Sequence, residues 1–251
     1  MDQRYWDRVA SDYDGEIFDS FTSDRTGVLV RRLETFADRS APAADAGCGV
    51  GKYLPFLAPR FARVDAYDLS GELLKQARTA AGRFENIRYF KRNFASPSAT
   101  VFPVRFALCA NVLIMADTAI REAVLRSVAR MVERGGHAIF LIPSVESALL
   151  AHHRLMEWHR QDGLSPAEAS RASIAPAAKA GRRLADGLVP IDGVPTKHFL
   201  REEAAVFFRR GGFAPLQFDK VEYGWETEFE SPPDWMQAPF PWDWLVTTKR
   251  L

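Results

Sequence analysis

Short apolar runs alternate with amphipathic stretches along the first part of the chain. Runs of this length, bounded by turn residues, are typical of strands buried on both faces, and apolar positions at helical spacing indicate helices between them. Residues 119–133, for example, carry the apolar stripe of an amphipathic helix. Strands are predicted at 43–45, 61–67, 86–91, 106–111 and 136–142. This alternation predicts an α/β fold, with a parallel sheet covered by helices on both faces.

The C-terminal part adds a helix and two strands. Residues 199–210 have helical periodicity and are followed by Gly211 and Gly212, which end the helix. Residues 213–223 and 242–249 are then predicted to be strands.

About fifty residues, 144–196, separate these two parts, which is far more than an ordinary loop. Residues 145–160 have helical spacing, and residues 165–168 form a capping box with proline at the first helical position. Pro176 is expected to kink or break the helix that follows. Four residues share one face of the first helix, which we expect to look inward: Leu149, His152, Met156 and His159. We therefore predict a helical lid at the carboxyl end of the sheet.

The first predicted strand leads into Asp45-Ala46-Gly47-Cys48-Gly49-Val50-Gly51. Glycines at alternate positions allow a tight turn and the close approach of a ligand, and residues 52–57 can begin a helix that faces the same ligand. A strand, a glycine turn and a helix form a nucleotide-binding corner. A dinucleotide site would need a third glycine where Lys52 stands, and a P-loop would need a hydroxyl residue where Tyr53 stands.

The pattern Asp-x-Gly-x-Gly-x-Gly fits at every position and resembles motif I of the class I S-adenosylmethionine (SAM) dependent methyltransferases. The resemblance implies a Rossmann-like, doubly wound and mostly parallel seven-stranded sheet, closed by an antiparallel C-terminal hairpin strand. It divides the chain into a methyltransferase domain, 1–143 and 197–251, and the helical insertion 144–196. It implies SAM as cofactor and S-adenosylhomocysteine (SAH) as product, with Asp45 near the methionine cation. Residues expected around the cofactor here are Gly47, Cys48, Gly49 and Gly51.

Further positions follow the order of that family. Asp68 ends the second strand about 20 residues beyond the glycine loop, where a ribose-binding carboxylate belongs, with Leu69 beside it. Its other interpretation is a helix-capping or surface aspartate. Asn93 stands where the family usually has an acid that contacts adenine, and Phe94 follows it. The resemblance adds three more cofactor contacts: Asn111, Val112 and Tyr13, the last in an N-terminal helix over SAM.

Three histidines are the candidate catalytic residues, since a neutral histidine can take a proton from a hydroxyl or an amine. His152 and His159 lie two helical turns apart, about 10 Å, which is too far for one metal ion, so no metal site is predicted. His198 stands where the insertion rejoins the domain. The alternative is that these histidines are packed or solvated.

The amino-acid composition limits the classes of partner that we expect. Lysine and arginine total 33 against 32 acidic residues, so no basic surplus points to nucleic acid. Both cysteines, Cys48 and Cys109, fall in predicted core positions, which favours reduced thiols. No apolar run suits a signal peptide or a membrane span, so we expect a cytoplasmic protein that is not bound to membranes. The oligomeric state is not readable.

We therefore expect a SAM-dependent methyltransferase that acts on an oxygen or nitrogen of a small-molecule acceptor by in-line displacement. The alternatives are a non-catalytic SAM- or SAH-binding protein and an NAD(P)-dependent oxidoreductase. The latter is disfavoured by Lys52 at the position of the third glycine.

Overall fold

The structure is a computed structural model that describes residues 3–10, 19–179, 183–191 and 193–251. Its strands are β1 (Asp38–Ala46), β2 (Phe61–Asp68), β3 (Ile87–Lys91), β4 (Val104–Ala110), β5 (Val132–Pro143), β6 (Leu188–Ile191), β7 (Val194–Lys197), β8 (Phe213–Glu222) and β9 (Trp242–Arg250). Its α-helices are α1 (Gln3–Val9), α2 (Val28–Glu34), α3 (Leu54–Leu57), α4 (Gly71–Ala80), α5 (Thr118–Met131), α6 (Val145–Gln161), α7 (Pro166–Lys179) and α8 (Arg201–Arg210).

Seven strands form one sheet in the order β3-β2-β1-β4-β5-β9-β8. The pairs from β3 to β5 are parallel, and β9 runs antiparallel to both β5 and β8. The predicted mostly parallel sheet with an antiparallel hairpin strand is therefore confirmed. This order also differs from the 3-2-1-4-5-6 order of a dinucleotide-binding sheet.

Helices cover both faces of the sheet, because its central strands are apolar on both sides. One face packs on α5 and α8 through a core that includes Phe140, Phe208 and Phe213. The other face packs on α2, α3 and α4 through a core that includes Leu33 and Leu57. The sides of the sheet are thus closed, and its carboxyl edge is left for a site.

The insertion contains two helices, as expected, but its last part is not helical. After α7 the chain forms a 3₁₀ turn and then the antiparallel hairpin of β6 and β7. β-branched residues alternate through this hairpin, and Gly193 supplies the positive φ (+76°) that its tight turn requires. Pro176 lies inside α7 and does not end it, since the helix continues to Lys179.

Both ends of the insertion are fixed at the end of β5. Ser144 and Phe199 form a parallel β-bridge, in which the Val145 N–H donates to the Phe199 carbonyl over 3.1 Å. The Phe199 N–H in turn donates to the Pro143 carbonyl over 2.8 Å. The insertion therefore departs from and returns to the same point of the sheet.

The N-terminal helix α1 packs on α4 at the carboxyl edge of the sheet. The Ser70 hydroxyl, which caps α4, donates to the Asp7 carboxylate of α1. Among the described residues, no helix has the length and the apolar run that crossing a bilayer requires.

Candidate functional site

The glycine loop after β1 is a tight turn that only glycine accommodates without strain. Gly47 and Gly51 have φ values of +88° and +86°. The N–H groups of Gly47 and Cys48 both donate to the Tyr67 carbonyl over 2.8 Å. A Cβ on Gly47 would overlap the Val112 side chain. The helix that follows begins at Leu54, later than expected, and is a single turn.

Asp68 joins the loop to the end of β2. Its carboxylate accepts hydrogen bonds from the Gly49 N–H over 2.9 Å and from the Ser70 N–H over 2.8 Å. Burial raises the pKa of Asp68, and these two backbone hydrogen bonds oppose that rise. A carboxylate has about four acceptor positions, so Asp68 keeps lone pairs for a ligand in addition to these bonds.

Asp45 is a buried acid with no hydrogen bond from any described residue to either carboxylate oxygen. Burial, and then the charge of Asp68, raise its pKa to about 8. A buried polar group without a partner is costly in a native protein and commonly marks a site that binds a ligand. Its position before the glycine loop makes a cationic ligand group the natural partner.

A large cavity of about 1270 Å³ opens at the carboxyl edge of the sheet. One end is lined by the glycine loop, and the other by the insertion and by residues near the start of β9. The volume exceeds the roughly 300–1,000 Å³ of a site for one small ligand. The cavity therefore has room for a cofactor together with a second molecule.

The similarities of this chain to known proteins agree with this geometry. Residues 43–136 match the family model of a methyltransferase domain, whereas no curated protein matches the chain in sequence. Among solved structures, the N-methyltransferase NodS from Bradyrhizobium japonicum WM9, in complex with SAH, is 13% identical with a TM-score of 0.60 over 99% of this chain and 97% of that chain. The DhpI–SAH complex is 16% identical (TM-score 0.62; 99% and 94% covered). Magnesium protoporphyrin IX methyltransferase (ChlM) from Synechocystis PCC 6803, with bound SAH, is 16% identical (TM-score 0.59; 99% and 97% covered).

Residues 43–136 carry a class I SAM-dependent methyltransferase domain. The family and the fold expected from the glycine pattern are thereby confirmed. The sheet order, the glycine loop and the acid at the end of β2 are all features of this α/β domain. The cavity lies at the carboxyl edge of the sheet, where α/β domains bind their ligands.

Most of the predicted cofactor residues of this methyltransferase line the cavity. They are Gly47, Cys48, Gly49, Asp68, Leu69, Asn93, Phe94, Asn111 and Val112. Asp45, near the end of β1, and Gly51, in the loop, are absent from its walls. Tyr13 lies outside the described residues. Asn111 has the unusual positive φ of +55°, and strained backbone of this kind is concentrated at functional sites. Its buried Oδ1 accepts no hydrogen bond from any described residue.

The three candidate histidines are placed differently from one another. His152 of α6 and His198 after β7 line the cavity, whereas His159 does not. His198 is buried, and its Nδ1 lies 3.0 Å from the Thr196 carbonyl. Because a carbonyl only accepts, Nδ1 carries the hydrogen in this bond, and a neutral ring then has its lone pair at Nε2.

The expected inward face of α6 is only partly correct. Leu149 is 46% exposed, and the side of α6 toward the cavity carries Ser147, Ala148, Ala151, His152 and Leu155. The sequence gives the spacing of an apolar stripe but not the direction in which it packs. Here α6 turns small residues inward, which leaves space in the cavity.

Two cavity residues of this methyltransferase were not identified from the sequence. The Tyr223 hydroxyl, just after β8, donates to the Asp243 carboxylate of β9 over 3.0 Å, and both residues line the cavity. Burial raises the pKa of Asp243 to about 6, and the Tyr223 hydrogen bond opposes that rise. The available signal was a single acid within the otherwise apolar run Trp242–Val246.

Proposed function

We propose that this methyltransferase moves the methyl group of SAM to an oxygen or nitrogen of a small-molecule acceptor. The observation that carries the proposal is the single cavity that connects the glycine loop to the insertion. Structural neighbours with similar coverage include an N-methyltransferase and a magnesium protoporphyrin IX methyltransferase. A cavity with room for a cofactor and one further molecule also suits a small acceptor.

The cofactor half would be formed by the loop and by the ends of β2, β3 and β4. Asp68 would accept the ribose hydroxyls while it keeps its bonds to the loop. Asn93 accepts from the Ala95 N–H through Oδ1, so its amide nitrogen is the group that would donate to adenine. Phe94 is buried against Tyr67 and would support the adenine ring. Asp45, which has no hydrogen-bond partner among the described residues, would stabilise the methionine ammonium.

SAM supplies a methyl group that is already electrophilic because it is bonded to a sulfonium. The chain's residues therefore need mainly to orient the acceptor and to exclude water. The insertion suits this role, since α6 and β6 line the cavity opposite the glycine loop. We propose residues 144–196 as the acceptor lid on that basis.

His198 is the favoured proton acceptor of the three histidine candidates. It is buried in the cavity wall, and its Nδ1 bond to the Thr196 carbonyl fixes the ring and the tautomer. His152 lines the same cavity from α6 and is the second candidate. An acceptor amine that is already neutral in solution would need neither residue.

Calorimetry with SAM, SAH, NAD and ATP tests the proposal. SAM and SAH should bind in the micromolar range, with a binding free energy on the order of −7 to −8 kcal/mol. NAD and ATP should not bind with comparable affinity. Tight binding of NAD without binding of SAH would contradict it. A screen of hydroxyl and amine compounds for conversion of SAM to SAH would then identify the acceptor.

A further inference from the structure

We infer that the acceptor carries a protonated amine, and that Asp243 binds this cation at the end of the cavity away from the glycine loop. The inference rests on the proposed function, because it assigns the acceptor to this half of the cavity. It adds a substrate class, organic amines, and an anchoring residue that neither the family match nor the glycine motif indicates.

The first observation is the position of Asp243. It pairs with Pro143 at the end of β5 and lines the cavity from β9. In the sheet, β4 and β5 lie between β1 and β9, so Asp243 is roughly 14 Å from the end of β1 at about 4.8 Å per strand. Asp243 is thus distant from the acids of the cofactor half and adjacent to the lid.

The second observation is that Asp243 has a hydrogen bond but no cation. Its carboxylate accepts from the Tyr223 hydroxyl, and no lysine, arginine or histidine among the described residues forms an ion pair with it. With a pKa of about 6 the group is ionised at neutral pH. A half-buried anion that lacks a positive partner favours a ligand that supplies one.

The described residues that line the cavity include five basic ones: Arg4, Lys52, Arg92, His152 and His198. None of them forms an ion pair with Asp243. Lys52 follows the glycine loop and pairs with Asp19 over 3.4 Å. Arg92 follows β3, where its guanidinium donates to the carbonyls of Lys91 and Thr100. Lys52 and Arg92 therefore bind other groups, and neither neutralises Asp243.

The third observation is the aromatic wall around this end of the cavity. Tyr223, which bonds Asp243, lines the cavity together with Phe229 and Trp242. The Trp242 ring already attracts one cation, because the Lys220 Nζ lies 3.5 Å from its centroid. Aromatic faces attract cations and exclude water, which strengthens the pairing of an ammonium group with a carboxylate. An anion within aromatic walls fits an organic ammonium ion better than a neutral alcohol.

The test compares 2-phenylethylamine with 2-phenylethanol, which have the same size and differ in charge. Binding is measured by ligand-observed NMR, with and without saturating SAH, on the wild type and on Asp243→Asn. The amine should bind about 10- to 100-fold more tightly than the alcohol, and Asp243→Asn should reduce this preference to about twofold or less. Asp234→Asn, at an exposed acid on the preceding loop, is the matched control and should keep the preference.

Tyr223→Phe provides an independent variant that keeps the Asp243 carboxylate. It removes the hydrogen bond that stabilises the anion, so the preference for the amine should fall at neutral pH. Equal binding of amine and alcohol by the wild type, no binding of either at millimolar concentrations, or a preference that survives Asp243→Asn would each overturn the inference. Binding of SAH alone is measured in parallel, so a failure of the proposed function is recognised separately.

Discussion

Asp68 is hydrogen-bonded to Gly49: a carboxylate oxygen of Asp68, at the end of β2, accepts a hydrogen bond of 2.9 Å from the N–H of the middle glycine of the loop. The other oxygen accepts the Ser70 N–H, which begins the next helix. The same side chain is therefore both a proposed ribose ligand and a structural part of the loop. Alanine at this position has two separate consequences.

Asp68→Ala should weaken SAH binding by tens of fold and also lower the free energy of unfolding without ligand by about 1.5–3 kcal/mol, because buried N–H groups lose a charged acceptor. Calorimetry with SAH and urea unfolding measure the two effects. Asp68→Asn keeps one acceptor oxygen and should recover part of the stability but little of the affinity. Normal SAH affinity in either variant would leave Asp68 with a structural role alone.

Asp45 should make the ligand-free protein less stable as the pH rises. Its pKa is raised to about 8 by burial, against about 3.9 in an unfolded chain. The folded state therefore holds the proton more tightly, and this stabilisation is complete below pH 4 and is lost as the pH rises through about 8. The slope is at most about 1.4 kcal/mol per pH unit.

Asp45→Asn provides the comparison, because Asp68 and Asp243, whose pKa values burial also raises, are present in both proteins. The difference in unfolding free energy between variant and wild type should grow from pH 5 to pH 8 in favour of the variant. Urea unfolding at several pH values measures it. A difference that does not change with pH would mean that Asp45 is ionised in the folded state.

Gly47→Ala should disrupt the loop for two reasons, the φ of +88° and the overlap of the new Cβ with Val112. We expect a loss of unfolding free energy of about 2–4 kcal/mol and a strong reduction in SAH affinity. Gly163→Ala is the matched control, with a φ of +96° and no atom within 4 Å of its added Cβ. The control reports the backbone strain alone, so equal losses in both variants would exclude a packing effect at Val112.

Ala148→Trp should fill the acceptor half of the cavity, since Ala148 lines it from α6. SAH binding should be unchanged within about twofold, while methyl transfer to any acceptor of the wild type is lost because the acceptor is displaced. Leu149→Trp, one residue later on the exposed side of α6, should retain both activities. Calorimetry with SAH and an assay of SAH release distinguish these results. Turnover that persists in Ala148→Trp would contradict an acceptor site beneath the lid.

The central sheet and the cofactor half could be predicted from the sequence, because both depend on local patterns. Strands buried on both faces require continuous apolar runs, and a turn through Gly47 and Gly51 requires residues without a Cβ. Strand boundaries differ from those expected by a few residues. The largest difference is β1, which begins at Asp38 and not at Ala43.

The acceptor half could not be predicted in the same way, because it depends on contacts between distant parts of the chain. Asp243 lies next to the lid only because β9 inserts between β5 and β8. The direction of α6 depends on its packing on β9, where Ser147 accepts the Trp242 N–H. The hairpin of β6 and β7 had a local signal, Asp192-Gly193 between β-branched residues, which the helical features of the insertion outweighed.

The bridge between Ser144 and Phe199 has a consequence for how such a protein can change. Because the chain leaves and re-enters the sheet between hydrogen-bonded neighbours, the length of the segment between them is nearly independent of the geometry of the sheet. Closing a longer loop at a fixed point costs only a few tenths of a kcal/mol for a moderate increase in length. The segment can therefore be exchanged for another in evolution or in the laboratory, which would give the same cofactor machinery a different range of substrates.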